Sequence, residues 1–258
     1  MNMRRSKTLE LLRAGKPVFS VKCNTADARV VEMAAMMDIP CIWVDMEHTP
    51  NDYAVTESQI MAAKMYDADV LVRIPRGSYS DYIRPLELDG TGIMVPHVMS
   101  AEDAKNVIHM TRFHPVGRRP VDGGNADAKY GMVNIRDYIK QANEERFIIL
   151  QIEDPEAMEQ IEEIAALPGF DVLFFGPGDY SHALGVPGQM DHPEVVAAFR
   201  KVAEVANKYG KFAGTVGSKD NAAELVAMGY QFVNLGADVV ALNSYFKAIG
   251  DFNANFEG

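Results

Sequence analysis

Cysteine is nearly absent. Cys23 and Cys41 are the only two in 258 residues, and both lie in or beside apolar, strand-like runs without metal-knuckle spacing. They read as small buried hydrophobes in a reducing compartment, which excludes a disulfide framework. Positive charge is also scarce: 25 Lys and Arg against 36 Asp and Glu give a formal net charge of -11. Such a balance argues against gripping a phosphate backbone, so nucleic acid is not an expected partner. No apolar run approaches the roughly 18 residues of a membrane span. The basic start, Met1 to Lys7, leads into a short amphipathic helix at Thr8 to Gly15 and not into an apolar signal core, so a cytoplasmic protein is expected. Low-complexity linkers are missing too, although length alone permits one large or two small domains.

What the chain does have is alternation. Strand-like runs fall at Val18–Lys22, Cys41–Asp45, Val70–Ile74, Gly92–Pro96, Phe147–Ile152, Asp171–Phe175, Lys211–Thr215 and Gln231–Leu235. Helical periodicity separates them at Ala26–Met37, Asp52–Tyr66, Asp81–Glu87, Ala101–Thr111, Glu156–Ala166, His192–Lys208, Lys219–Met228 and Val239–Gly250. A parallel pair needs a crossover, and eight such units close into a (β/α)8 barrel spanning residues 1–258. An open doubly wound sheet is disfavoured because no Gly-rich phosphate turn follows the first strand. The long departure, 113–145, is expected on the barrel's carboxyl face as an active-site insertion.

Barrel geometry brings the carboxyl ends of strands to one mouth. The second strand ends in Asp45-Met-Glu47-His48, the third in Arg73, the fourth in Pro96-His97, the fifth in Gln151-Ile-Glu153, and the sixth opens into Gly176-Pro-Gly-Asp179. Glu153 and Asp179 are thus candidate partners on one oxygen-rich metal site. Asp154 reads as the cap of the following helix and Asp52 as another cap. Asp45 serves either loop amides near His48 or the orientation of a base. Arg73 suits an ion pair or a substrate carboxylate or enolate oxygen. His97 reads as a supporting group, while His109, His114, His182 and His192 read as surface or packing residues. Met61, Met65, Met94, Met99 and Met110 read as core filling.

Taken together, Val44-Asp-Met-Glu-His-Thr-Pro-Asn-Asp52, Val72-Arg73, Gln151-Ile-Glu153 and Phe175-Gly-Pro-Gly-Asp-Tyr-Ser181, with His192-Pro-Glu194, resemble the HpcH/HpaI family of metal-dependent pyruvate aldolases. The resemblance covers most of the chain. It implies a carbon–carbon lyase that splits a 4-hydroxy-2-oxo acid, such as a keto-deoxy sugar acid or diacid, into pyruvate and an aldehyde, and runs the reverse addition. By position it implies Glu153 and Asp179 as ligands of Mg, Mn or Co, His48 as general base, Arg73 as enolate stabiliser, and Gln151 with the Gly178 backbone as substrate contacts. The family's acidic partner of the catalytic His, supplied by a neighbouring subunit, matches Glu87 here where Asp is usual. The family also implies a homo-oligomer, typically a hexamer with an exchanged C-terminal helix, and Val239–Phe252 offers an apolar face for that. The alternative is packing against the chain's own barrel.

Chemistry supports a metal route. Bond cleavage beside a hydroxyl needs a base and something to hold the negative charge of a pyruvate enolate. A Schiff-base lysine is not needed; Lys22 is the only lysine near a strand's carboxyl end. Within the insertion, Arg118 and Arg119 are candidates to recognise a distal carboxylate. The rival readings are a CoA-thioester lyase of the citrate lyase beta or malyl-CoA lyase type, and a non-catalytic barrel that binds an oxo acid.

Overall fold

The computed structural model describes residues 1–256. In chain order run α1 (Lys7–Arg13), β1 (Val18–Cys23), α2 (Ala28–Met36), β2 (Cys41–Asp45), α3 (Tyr53–Lys64), β3 (Asp69–Arg73), α4 (Tyr79–Glu87), β4 (Gly92–Val95) and α5 (Ala101–Thr111). A single 3-10 turn, Ala126–Ala128, precedes α6 (Ile135–Glu145), β5 (Phe147–Ile152), α7 (Pro155–Glu159), α8 (Ile161–Ala165), β6 (Val172–Phe175) and α9 (Pro177–Ala183). The chain continues with α10 (Pro193–Lys208), β7 (Phe212–Val216), α11 (Ala222–Met228), β8 (Tyr230–Ala237) and α12 (Asp238–Asn255). All eight strands are parallel neighbours in sequence order and close into a barrel, as the alternation implies.

The inside of the barrel changes character along its axis. Leu9 and Leu12 of α1 pack with Val18, Cys41, Trp43, Leu71, Met94, Phe147, Phe174 and Phe232 in one buried cluster. Burying each leucine contributes about 1.5–3 kcal/mol, so α1 acts as the plug of the amino end. Gly92 leaves room for the Phe147 ring, which a Cβ there would overlap. Towards the carboxyl end the rows turn polar, with Lys22 in register with Trp43 and Asp45 in register with Arg73.

Charges at the amino face are structural. Asp69 accepts from Arg4 Nη1 (3.0 Å), Ser6 Oγ (2.9 Å) and the Thr8 amide (2.8 Å), tying the plug to β3. Asp89 faces Arg146 and Lys64, each at 2.6 Å. Arg112 donates to Asp171 (2.5 Å) and to the carbonyls of Gly169 and Arg146. Because α5 runs back down the barrel, the insertion that follows it lies on this amino face, not at the mouth as expected. Its buried side, with Phe113, Ala128, Val133 and Tyr138, packs on Met3 and Ala142.

Several expectations about helices need correction. Glu156–Ala166 is broken at Gln160 into α7 and α8, and the segment into which the sixth strand opens, Gly176 to Ser181, is largely the helix α9. Met61 and Met65 are exposed (62% and 74%), whereas Met94 is buried as expected. No residue of α12 is buried, so it does not pack against its own barrel. Val240, Tyr245, Phe246 and Phe252 on it are all exposed. Asp238 anchors its first turn by accepting from the Asn24 (2.8 Å) and Thr25 (3.0 Å) amides. Among the described residues no helix is long and apolar enough to cross a membrane.

Candidate active site

On the β2–β3 side of the mouth, Asp45 is fully buried and binds Arg73 in a fork, Nε to Oδ1 at 2.9 Å and Nη2 to Oδ2 at 2.7 Å. Lys22 Nζ adds a third cationic contact at 2.7 Å, and the Glu47 amide donates at 3.1 Å. Burial alone would raise the Asp45 carboxyl, but Arg73 and Lys22 hold it down at about 2. Asp45 therefore fixes Arg73 and takes the Glu47 amide of the loop beside His48. Arg73 is 5% exposed and lies 4.9 Å from the Trp43 ring centroid. Among the described residues its Nη1 makes no hydrogen bond, leaving that edge for a ligand.

His48 is exposed, and its Nε2 lies 3.4 Å from Glu47 Oε2. The same oxygen stands 3.0 Å from Arg73 Nε. Glu47 thus stands between His48 and Arg73, a placement that sequence reading does not foresee although the residue sits in the motif.

Across the mouth, β5 delivers Gln151 and Glu153, 3% and 1% exposed. Gln151 Nε2 donates to Glu153 Oε2, while Gln151 Oε1 is buried without a partner among the described residues. The His97 amide donates to Glu153 Oε1 at 2.9 Å, from a backbone held at φ 47°. Gly176 is required beside this carboxylate because a Cβ there would overlap Glu153 Oε2. Asp179, in the first turn of α9, completes the group: single ligand atoms of His97, Glu153 and Asp179 all lie within 4.8 Å of one another. Burial pushes Glu153 up to about 7, opposed by the His97 amide and reinforced by the negative charges of Asp179 and Glu47. A buried carboxylate and an exposed one within a few ångströms, with an unpaired buried amide oxygen beside them, fit a hard divalent cation. His97 comes nearer the centre than sequence reading placed it.

Asp154 sits at the cap position of α7 but makes no cap bond; its Oδ2 instead meets His97 Nδ1 at 2.9 Å. Asp52 caps α3 as expected, accepting from Val55 N at 2.8 Å. His109, His114 and His182 are exposed, and His192 caps α10. Gly178 is exposed in the first turn of α9, beside Asp179. Glu87 is half-buried on the last turn of α4, where the charges nearest it are Arg119, Asp127, Asp122 and Arg84. That is the amino face, so within one chain Glu87 does not join His48.

Arg119 is likewise removed from the mouth. It is 4% exposed, donates to Asp127 Oδ2 and Tyr138 Oη at 3.1 Å each, and stacks on Phe113 at 4.7 Å. It holds the insertion together and, in its own chain, recognises no substrate. Arg118 is exposed on the same face.

The family model described as HpcH/HpaI aldolase/citrate lyase matches residues 21–244. A pyruvate aldolase of Rhizobium etli is 32% identical over 232 residues, covering 90% of this chain and 91% of that protein. The 4-hydroxy-2-oxo-heptane-1,7-dioate aldolase of Shigella sonnei is 31% identical over 243 residues, covering 92% and 91%. Among solved structures, an HpcH/HpaI aldolase from Desulfitobacterium hafniense superposes with a TM-score of 0.91 at 30% identity, covering 97% of each chain.

Proposed function

Because the chain belongs to the HpcH/HpaI aldolase/citrate lyase family, we propose that its mouth cleaves a 4-hydroxy-2-oxo acid to pyruvate and an aldehyde with His48, Arg73, Gln151, Glu153 and Asp179 as working groups. The protein is an aldolase, a carbon–carbon lyase, as its relatives' names support. The observation that carries the site assignment is the convergence of Glu153 and Asp179 from adjacent staves of the barrel within the reach of one ion.

Glu153 and Asp179 would hold the cation, with Mg, Mn or Co as candidates, and His97 beside them. When bound, a divalent cation supplies Lewis-acid stabilisation of negative charge on a 2-oxo acid. The chain's own groups do the rest. His48 stands exposed at the rim to take the proton of the C4 hydroxyl, and Glu47 at 3.4 Å favours the imidazolium that results. Arg73, fixed by Asp45, offers Nη1 as a charge-assisted donor to the enolate oxygen. The unpaired Gln151 Oε1 is an acceptor for a substrate hydroxyl, and Gly178 leaves backbone next to Asp179 open to a carboxylate.

Incubating the purified protein with a 4-hydroxy-2-oxo acid tests this reading. Pyruvate release is expected to stop on chelation and return with Mn or Mg. An active preparation indifferent to chelator would remove the metal assignment.

The exposed α12 supports a homo-oligomer in which this helix covers another copy, with the family's hexamer as the expected form. Tyr245, Phe246 and Phe252 exposed together are more apolar surface than a lone helix needs. Glu87 would then reach a neighbour's His48 from a second subunit. Light scattering is expected to give a multiple of the chain mass; a monomer would dispose of the assembly.

A further inference from the structure

We infer that Lys22 is a specificity-determining residue of this aldolase site and binds a carboxylate at the far end of the aldehyde half of the substrate. The inference rests on the aldolase reading above. Lys22 lies near the carboxyl end of β1, in register with Trp43 of β2 and Ala237 of β8. In a closed ring of eight strands in sequence order, β1 stands four places from β5. Lys22 and Glu153 therefore occupy opposite walls of the mouth. A substrate whose oxo-acid end is held at Glu153 and Asp179 extends its other end towards β1.

Asp45 already takes the Arg73 fork and the Glu47 amide, and Arg73 has a second carboxylate in Glu47 Oε2 at 3.0 Å, so Lys22 is not the sole partner of any group it meets. An ammonium carries three donors, and Asp45 Oδ2, at 2.7 Å, is the one partner recorded for Lys22 among the described residues. The Lys22 side chain is 17% exposed, so part of it can be reached by a ligand. Beneath it lies the Trp43 ring, 5.3 Å from Nζ and itself 3% exposed, which keeps water away from one side of the ammonium.

The other candidates for a distal anion are committed elsewhere. Arg119 is buried in the amino-face insertion, and Arg76 is forked onto Asp103 at 2.7 and 2.8 Å. Lys22 is left as the cation with free donors on the wall facing the metal ligands.

The test uses the full chain with Mn present, in the addition direction, with pyruvate and two aldehydes of equal length: succinic semialdehyde, which ends in a carboxylate, and neutral butyraldehyde. The wild type is expected to prefer the acidic aldehyde by about tenfold or more in kcat/KM, the scale of one charge-assisted hydrogen bond. Lys22→Met and Lys22→Gln are expected to erase that preference, and Lys22→Arg to keep it. Equal loss on both aldehydes, or an unchanged ratio, overturns the inference and leaves Lys22 a structural counter-ion. A wild type without the preference overturns it with no variant needed, while a wild type inactive on both aldehydes overturns the aldolase reading itself.

Discussion

Glu153→Gln is expected to lower kcat/KM for pyruvate release by about a thousandfold, the equivalent of roughly 4 kcal/mol of lost transition-state stabilisation. The substitution is nearly isosteric and keeps an acceptor for the His97 amide, which now donates at 2.9 Å. It removes the one fully buried charge of the candidate metal pair; Asp179, on the exposed first turn of α9, cannot replace it alone. Far-ultraviolet dichroism and the melting temperature should change little or rise, because a carboxyl pushed up to about 7 by burial is costly to keep ionised. Loss of activity with retained stability is the signature of a functional charge. Loss of both would make Glu153 a structural group.

Asp89→Asn is the second large effect, and it falls on folding. Asp89 is 3% exposed and faces Arg146 Nη2 at 2.6 Å, while burial of Arg146 works against its charge. Removing the carboxylate leaves that guanidinium unpaired in the interior, which typically destabilises by about 3–5 kcal/mol. Asparagine is chosen because position 89 has φ 71°, a left-handed conformation that Asn tolerates better than most residues. Denaturant unfolding measures the effect. Glu102→Gln is the control: its 3.6 Å pair with Lys105 is exposed on α5, and no measurable change is expected. If the two variants unfold alike, the amino-face ion network is not what closes the barrel.

How much of this was legible in the chain follows from physics that is local or not. Cys41–Asp45 and Phe147–Ile152 match the strands read from sequence, because apolar runs bounded by polar tips carry their own boundaries. The eight-fold alternation gave the barrel, and the barrel put Asp45, His48, Arg73, Gln151, Glu153 and Asp179 at one mouth. Side-chain partners were less legible. Asp154 stands where a cap belongs, yet His97 claims its carboxylate, since a histidine 57 residues away leaves no trace in the spacing. Glu47 was passed over because its neighbours Asp45 and His48 carried the motif, and only the fold shows it between His48 and Arg73.

The insertion was placed on the wrong face for a simpler reason. It follows a helix and not a strand, so α5 had already carried the chain back to the amino end before Phe113. Arg119 went with it. Met61 and Met65, read as core filling because methionine is apolar, are exposed in the single chain, since residue type alone does not say what covers it. The same holds for α12, whose apolar face is real but unpartnered.

Calorimetric titration of chelator-stripped protein with Mn tests the central claim most directly. One ion per chain is expected to bind, and Glu153→Gln or Asp179→Asn is expected to weaken that binding by at least about tenfold. Unchanged affinity in both variants, or a stoichiometry that survives the loss of both carboxylates, would contradict the assignment of these two side chains to a shared cation.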